Sequence, residues 1–154
     1  MNYAYASQIE MEMASVLKTN AYSQNKIESL KVLIVDDQPE VRAIIRDMLA
    51  DMGVRRTLEA SNGKEAMQFV NADFEGVNLI ICDWNMPNIT GIEFLKKIRS
   101  LYPDMPFLMV TGKCDKNSVI EAKVAGVSGF IRKPFSPEQF ESKLKVALSD
   151  NNAP

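Results

Sequence analysis

Five polar residues stand at the ends of short apolar runs of the sequence: Asp36, Asp37, Asp83, Thr111 and Lys133. In an open parallel sheet, ligands bind outside the carboxyl ends of the strands, so residues at strand ends are the first candidates for chemistry. If the runs before Asp36 and Asp83 form neighbouring strands, three carboxylates share one crevice and repel one another. A hard divalent cation relieves that repulsion, and a set of oxygen ligands favours Mg²⁺ or Mn²⁺.

A lysine and a hydroxyl complete the chemistry that these strand ends offer. Mg²⁺ keeps several of its waters and leaves room for a phosphoryl group, whose oxygens Lys133 and Thr111 can contact from the opposite side. A carboxylate of the cluster then serves as the nucleophile. The residue types therefore predict a phosphoryl-transfer site in which a carboxylate accepts the group.

Each of these residues alone also has a simpler structural interpretation. Asp37 precedes a helical run with Pro39 near its first turn and is suited to cap that helix. Asp83 and Thr111 precede residues typical of turns, and Lys133 is suited to be a solvated charge. Their joint occurrence at strand ends favours one shared site.

The composition excludes several other kinds of active site. None of the 154 residues is histidine, which removes Ser-His-Asp and Cys-His nucleophile pairs and zinc sites built on imidazole. Two cysteines are too few for a disulfide framework, so we expect a reducing, cytoplasmic location. A formal charge of -2 gives no reason to expect nucleic acid or an anionic membrane as a partner. We also expect no transmembrane helix and no secretion signal.

The elements that must position these residues repeat in a regular order. From residue 31, short apolar runs alternate with segments of helical periodicity, which is typical of βα units around a parallel sheet. We predict strands at 32–35, 57–60, 79–82, 107–110 and 130–132. Helices are predicted from Val41 to a stop at Gly53 and at 64–70, 92–101, 116–125 and 137–149. The strands lack polar alternation, so helices should cover both faces of the sheet. We expect one α/β domain over 31–150, with 151–154 as a tail.

Residues 1–30 do not follow this alternation of strands and helices. Ser7 to Glu10 form a capping-box pattern, and an apolar stripe of Ile9, Met13, Val16 and Leu17 predicts one amphipathic helix. A polar linker is predicted from Asn20 to Asn25. The helix can lie on its own domain or fray, or it can serve dimerisation or the docking of a partner. We expect the stripe to be covered locally, by its own domain or by a second copy.

Residues 31 to about 150 resemble the response-regulator receiver domain of the CheY type, from two-component signalling. The resemblance is carried by V-L-I-V-D-D at 32–37, C-D-W-N-M-P-N-I-T-G at 82–91, V-T-G at 110–112, A-G-V-S-G at 125–129 and G-F-I-R-K-P-F at 129–135. It implies a doubly wound, flavodoxin-like fold with five parallel strands in the order 2-1-3-4-5, here with an extra N-terminal helix.

The resemblance also implies a role for each site residue. Asp83 resembles the aspartate that accepts a phosphoryl group from a phosphohistidine, on a histidine kinase or a histidine phosphotransfer protein. Asp37 and Asp83 would ligate Mg²⁺, Asp36 would act on the ion largely through water, and the backbone carbonyl of Asn85 would be a further ligand. The only catalysis implied is self-assisted phosphorylation and dephosphorylation, so we do not expect an enzyme that acts on a separate substrate.

The remaining implied residues form a switch. Lys133 would pair with the bound phosphate, and Pro134 would be a cis proline. Thr111 would move its hydroxyl to the phosphate and let Phe130 turn inward. The surface formed by the last two helices and the last strand would then change its affinity for a downstream protein partner.

The sequence departs from the family pattern at three positions. Phe130 stands where chemotaxis members typically carry tyrosine, Thr90 stands where the family usually has Asp or Asn, and Lys113 adds a cation near the pocket.

The sequence disfavours three other functions. A phosphohydrolase with an aspartyl nucleophile requires Asp-x-Asp after the first strand, where this sequence has Asp36-Asp37-Gln38. A flavodoxin-like carrier requires a first loop rich in Ser, Thr and Gly, and this loop is acidic. Receivers that signal without phosphorylation tend to lose a site residue, and all of the site residues are present here.

Overall fold

A five-stranded parallel sheet with helices on both faces forms the body of the protein. The computed structural model describes residues 3–73, 76–112 and 115–149. The strands are β1 (Lys31–Val35), β2 (Arg56–Ala60), β3 (Leu79–Cys82), β4 (Phe107–Thr111) and β5 (Gly129–Arg132). The helices are α1 (Tyr3–Glu28), α2 (Pro39–Asp51), α3 (Gly63–Asp73), α4 (Gly91–Leu101), α5 (Lys116–Val124) and α6 (Pro137–Ser149). Within these described ranges, no helix combines the length and the apolar character needed to span a membrane.

The strand order is β2-β1-β3-β4-β5, which confirms the order implied by the family resemblance. The order reverses between β1 and β3, and the crevice at such a reversal is where doubly wound sheets bind ligands. Val35 at the end of β1 is in register with Cys82 at the end of β3. The next residues, Asp36 and Asp83, therefore leave the sheet side by side.

Two apolar clusters pack on opposite faces of the sheet, as the unbroken apolar strands predicted. Helices α3, α4 and α5 cover one face, where Phe94 of α4 packs on Phe107 of β4 with ring centroids 5.9 Å apart. Helices α2 and α6, with the last turn of α1, cover the other face. Both clusters reach the ends of β1 and β3, so close packing holds rigid the backbone beneath the crevice between these two strands.

The predicted elements match the structure closely beyond residue 31. The bounds of β3 and α6 agree with the prediction, and the other strands and helices differ from it mostly by one to three residues at an end. The strand β2 lies at the edge of the sheet and is only partly buried, and it includes the charged residues Arg56 and Glu59.

The N-terminal segment differs from the prediction. Helix α1 continues without a break through Asn20–Asn25, so the predicted linker is wrong, and Ser7 lies inside the helix rather than at its start. Gln24 Nε2 donates a hydrogen bond to the Met52 carbonyl at 3.0 Å, and Ile27 is buried in the core of the domain. These tertiary contacts hold the last turns helical despite their polar sequence.

The apolar stripe of α1 is not covered by its own domain. Ile9, Met13, Val16 and Leu17 are all exposed, which contradicts packing of the stripe on the sheet or on its helices. The reason is geometric, because the described side chains of α1 are exposed from Tyr5 to Ala21, and burial in the domain begins near the C-terminal end of the helix, at Ile27. That a second copy covers the stripe stays a prediction. The predicted tail, 151–154, lies outside the described residues.

Candidate functional site

Three carboxylates meet at the crevice between β1 and β3. Asp36, Asp37 and Asp83 each contribute an oxygen, and these oxygens all lie within 4.8 Å of one another. Asp36 and Asp83 are buried, whereas Asp37 is exposed at the mouth of the crevice. The parallel register of β1 and β3 produces this arrangement, since it brings the residues after each strand level with each other.

Asp36 is the most tightly held of the three. Its Oδ1 accepts a hydrogen bond from the Gln38 backbone N–H at 2.9 Å, and its Oδ2 lies 2.8 Å from Lys133 Nζ. The guanidinium of Arg42 donates to the Asp36 backbone carbonyl at 2.7 Å. Sequence reasoning missed Arg42, because nothing in its spacing shows that the first turn of α2 brings it back to the end of β1.

Asp37 does not cap helix α2. Gln38 occupies the N-cap position, without a side-chain capping bond, and Pro39 begins the helix. The alternative interpretation of Asp37 as a helix cap is therefore wrong. An exposed carboxylate in this position keeps its oxygens available to a ligand.

Asp83 lies at the centre of the site. Its Oδ1 accepts from the Trp84 backbone N–H at 2.8 Å, and its Oδ2 lies 3.6 Å from Lys133 Nζ. Burial raises the pKa of the Asp83 carboxyl above its ordinary value, the positive charge of Lys133 opposes this shift, and the negative charge of Asp36 adds to it. The charged form of Asp83 is thus costly until a cation enters the site.

Lys133 and Thr111 close the crevice from the neighbouring strands. The backbone N–H of Lys133 donates to the Thr111 carbonyl at 3.0 Å, which ties the end of β5 to the end of β4. Thr111 is fully buried as the last residue of β4. The Lys133–Pro134 peptide bond is cis, as the family resemblance implies.

The loop after Asp83 returns to the sheet through a close backbone contact. A Cβ atom at Gly91 would collide with the Asp83 carbonyl oxygen, and the Gly91 N–H donates to the Trp84 carbonyl at 2.8 Å. Only glycine permits this approach. In the sequence, the signal for this contact is the spacing, because a glycine follows the strand-end aspartate after eight residues.

Two residues of this loop were singled out from the sequence. The side chain of Asn85 is exposed, and the role of its carbonyl as a metal ligand stays a prediction. Thr90 is the N-cap of α4: its hydroxyl accepts from the Glu93 N–H at 3.3 Å, and the Glu93 carboxylate accepts from the Thr90 N–H at 3.0 Å. Threonine thus serves here as a helix cap in place of the family's usual Asp or Asn.

Phe130 lies away from the carboxylates, on the face formed by α5, β5 and α6. It is half-buried, packs against the cluster under α3–α5, and lines a groove with Val119 of α5 and Gln139 of α6. Met109 is in register with Phe130, so Phe130 and Thr111 lie on the same side of the sheet. Lys113 lies outside the described residues.

The donor set fits a hard divalent cation. Three carboxylates lie together and two of them, Asp36 and Asp83, face Lys133. All donors are oxygens, and the exposed Asp37 leaves the site open to hydrated ions. Magnesium binding at an acidic site is typical of receiver domains, and this chain has the acidic group that such a site needs.

A doubly wound sheet with an acidic crevice at its switch point, bounded by a lysine, defines the class of CheY-like α/β domains. Residues 32–145 match the family described as "Response regulator receiver domain". The chain therefore belongs to the response-regulator receiver domains of two-component signalling. Helix α1 lies outside the matched residues.

Similar proteins agree with this membership. The chain is 38% identical over 125 residues to "Chemotaxis protein CheY1" of Helicobacter pylori, covering 80% of this chain and 100% of that protein. It is 42% identical over 121 residues to "Chemotaxis protein CheY homolog" of Campylobacter jejuni, covering 77% of this chain and 92% of that protein. The solved structure of chemotaxis response regulator CheY4 of Vibrio cholerae superposes with a TM-score of 0.70 and 36% identity, over 77% of this chain and 98% of that one.

Proposed function

We propose that Asp83 accepts a phosphoryl group from a phosphohistidine on a histidine kinase or phosphotransfer protein. The observation that carries the proposal is the meeting of three carboxylates within 4.8 Å, with Lys133 Nζ 3.6 Å from Asp83 Oδ2. An Asp83 carboxylate oxygen forms the new P–O bond as the P–N bond to imidazole breaks, and the imidazole leaves with the electron pair of that bond. Lys133 stabilises the charge on the phosphoryl oxygens.

Asp36, Asp37, Asp83 and the Asn85 carbonyl are proposed to hold Mg²⁺. The bound ion would neutralise charge shared between the carboxylates and the incoming phosphoryl group. Asp36 keeps its ion pair with Lys133 and positions that lysine, because both Asp36 oxygens already have partners at 2.8–2.9 Å. We propose that the chain turns over no separate substrate and assists only its own phosphorylation and dephosphorylation.

The signal is proposed to reach the face formed by α5, β5 and α6. Thr111 and Phe130 lie on one side of the sheet and belong to paired strands, so movement of the Thr111 side chain toward the phosphate frees space beside the Phe130 ring. With Phe130 turned inward, the groove that it lines changes shape. The ring carries no hydroxyl, so its effect on a partner comes from packing alone.

The relatives described above are named as chemotaxis proteins, and we propose that the partner of this face belongs to chemotaxis signalling in the cytoplasm. A capture experiment from native lysate, with and without beryllofluoride and Mg²⁺, tests this proposal. Glu138→Lys on α6, which lines the groove, should lose the state-dependent partner, whereas Asp47→Lys on α2 should keep it. Equal capture in both states would contradict signalling through phosphorylation.

The phosphoacceptor itself is tested with acetyl phosphate and Mg²⁺, followed by intact-protein mass spectrometry. Wild type should gain one phosphoryl group and Asp83→Asn none, while Asp47→Asn, an exposed aspartate on α2, should label normally. Chelation by EDTA should abolish labelling. Retention of the label in Asp83→Asn would show that another residue accepts the group. Turnover of phosphomonoesters would instead favour a phosphohydrolase.

A further inference from the structure

One face of helix α1 carries a seam whose residues alternate in spacings of three and four. The α1 seam consists of Ala6, Ile9, Met13, Val16, Asn20, Ser23 and Ile27. This spacing is the heptad pattern of two helices that wind around each other. The seam starts in the core of the domain, where Ile27 is 4% exposed, and continues outward uncovered: Ile9, Met13 and Val16 are 43%, 60% and 58% exposed.

The length of α1 makes this face an interaction surface. Its 26 residues span about 39 Å, and the described side chains from Tyr5 to Ala21 are all exposed. A helix that leaves the domain in this way gains little from its own fold, and isolated helices are marginal in water. The apolar part of the seam therefore needs a second helix to cover it.

The charges along α1 indicate what that helix is. Glu10 and Glu12 give its N-terminal half a net charge of -2, whereas Lys18, Lys26 and Glu28 give its C-terminal half a net charge of +1. A second copy of α1 running in the opposite direction brings the acidic half of each helix beside the basic half of the other. A parallel copy brings like charges level with each other, which is unfavourable. We propose that this chain forms a homodimer through antiparallel pairing of the α1 seam.

The surroundings of the seam favour the same direction. Asn20 and Ser23 of the seam line a groove whose other wall is α6, with Val146 and Ser149 among its residues. In a parallel dimer, the α6 helices of both copies would have to occupy the space beside this part of the seam. In the antiparallel dimer, only the N-terminal turns of the second α1 enter the groove, where Val146 is exposed to meet them.

The charges also select a register. When Met13 lies opposite Val16 of the second copy, Glu10 and Glu12 are level with the second copy's Thr19 and Leu17, away from its acidic pair. Shifting the helices by one heptad, so that Ile9 lies opposite Met13 of the second copy, places Glu10 beside the second copy's Glu12 instead. The first register therefore combines apolar contact with separation of the acidic residues of the two helices.

Light scattering across a range of concentrations tests the dimer on the full chain. Wild type should reach twice the chain mass of 17.3 kDa. Met13→Lys should weaken association at least tenfold, whereas Met11→Lys should leave it unchanged, because Met11 is 73% exposed on the same helix but stands outside the seam. A monomer at all concentrations, or a dimer that survives Met13→Lys, would overturn the proposal.

Disulfide cross-linking tests direction and register in a Cys114→Ser background. Chains with Ile9→Cys mixed with chains with Asn20→Cys should form mixed cross-linked dimers, because these positions lie opposite each other in the proposed register. Ile9→Cys alone should not cross-link, since the two cysteines would be about 16 Å apart along the helix. Cross-linking of Ile9→Cys alone would show a parallel pair and overturn the antiparallel assignment.

The dimer is independent of the phosphoacceptor, because the three carboxylates and Lys133 all lie beyond residue 30. Met13→Lys should label with acetyl phosphate like wild type. Loss of labelling in this variant would show that α1 contributes to the pocket. A Met13→Lys variant that labels normally and is still a dimer would show that the interface lies elsewhere.

Discussion

Lys133 forms an ion pair with Asp36, a residue 97 positions earlier in the chain, with Nζ 2.8 Å from Oδ2. The carboxylate is buried and the ammonium is partly buried, so little water screens the pair. It links the end of β5 to the end of β1 across the crevice and holds the lysine within 3.6 Å of the proposed phosphoacceptor.

Replacement of Lys133 by methionine should destabilise the protein. Among the described residues, the buried Asp36 carboxylate would keep the Gln38 N–H as its hydrogen-bond donor but lose its cation, and we expect a loss of about 2 kcal/mol, or about 4–8 °C in Tm. Added Mg²⁺ should restore part of the loss, because the cation replaces the missing positive charge. Thermal melts with and without Mg²⁺ measure both effects.

The matched control for Lys133→Met is Arg46→Met. The Arg46 side chain is largely exposed, and its partner Glu59 keeps a second ion pair, with Arg42. We expect a change of no more than about 0.5 kcal/mol. Similar melts for the two variants would contradict a special role for the Lys133 pair.

Neutralisation of Asp37 should stabilise the metal-free protein. Asp37→Asn removes one of three clustered carboxylates without breaking a helix cap, since Gln38 holds that position. Because Asp37 is exposed, solvent screens part of the repulsion, and we expect a rise of about 1–2 °C in Tm. The increase in Tm that Mg²⁺ gives the wild type should disappear. A clear fall in Tm would show instead that Asp37 stabilises the start of α2.

The raised pKa of Asp83 makes the stability of the metal-free protein depend on pH. The folded state keeps the Asp83 proton at pH values where the unfolded chain has lost it, so stability falls as the pH rises through that window. Asp83→Asn has no carboxyl group at this position and therefore lacks this pH dependence. The variant should therefore melt above wild type at neutral pH, with a difference that shrinks as the pH is lowered below the raised pKa. A difference that grows toward acid would contradict the direction of the shift.

Addition of one methyl group at Gly91 should disturb the loop that holds Asp83. The new Cβ would collide with the Asp83 carbonyl oxygen and lie 2.9 Å from the Trp84 Cα atom, so backbone must move. We expect Gly91→Ala to cost about 1–3 kcal/mol and to slow labelling by acetyl phosphate. Gly112→Ala is the control, because a Cβ there meets no atom of the described residues within 4 Å, its chain neighbours aside. Equal labelling rates for both variants would show that the loop tolerates the shift.

Residue types at strand ends predicted which side chains meet at the site. Two apolar runs, and the rule that parallel strands end at one edge of a sheet, predict that Asp36 and Asp83 meet if their strands are neighbours. That rule applies because the strands are short, unbroken and buried on both faces, properties that a linear sequence displays directly. The order of the strands came from the family resemblance and not from periodicity, which carries no information on which strands are neighbours.

Other features of the site depend on contacts between distant parts of the chain. Arg42 reaches the Asp36 carbonyl only because α2 folds back over β1, and Gly91 is required only because α4 begins against the Asp83 backbone. Arg42 has no local pattern that distinguishes it from a surface arginine, and the only sequence signal for Gly91 is its spacing from the strand-end aspartate.

The sequence by itself determined the alternation of strands and helices, the identity of the strand-end residues and the apolar stripe of α1, since each follows from local periodicity and side-chain chemistry. Tertiary structure decided that α1 continues through Asn20–Asn25, because the burial of Ile27 and the bond from Gln24 to Met52 outweigh a polar local sequence. It also decided that the stripe stays exposed, since α1 meets the domain only at its C-terminal end. Local sequence specifies which surfaces are apolar, but only the packing of the whole chain decides which of them are covered.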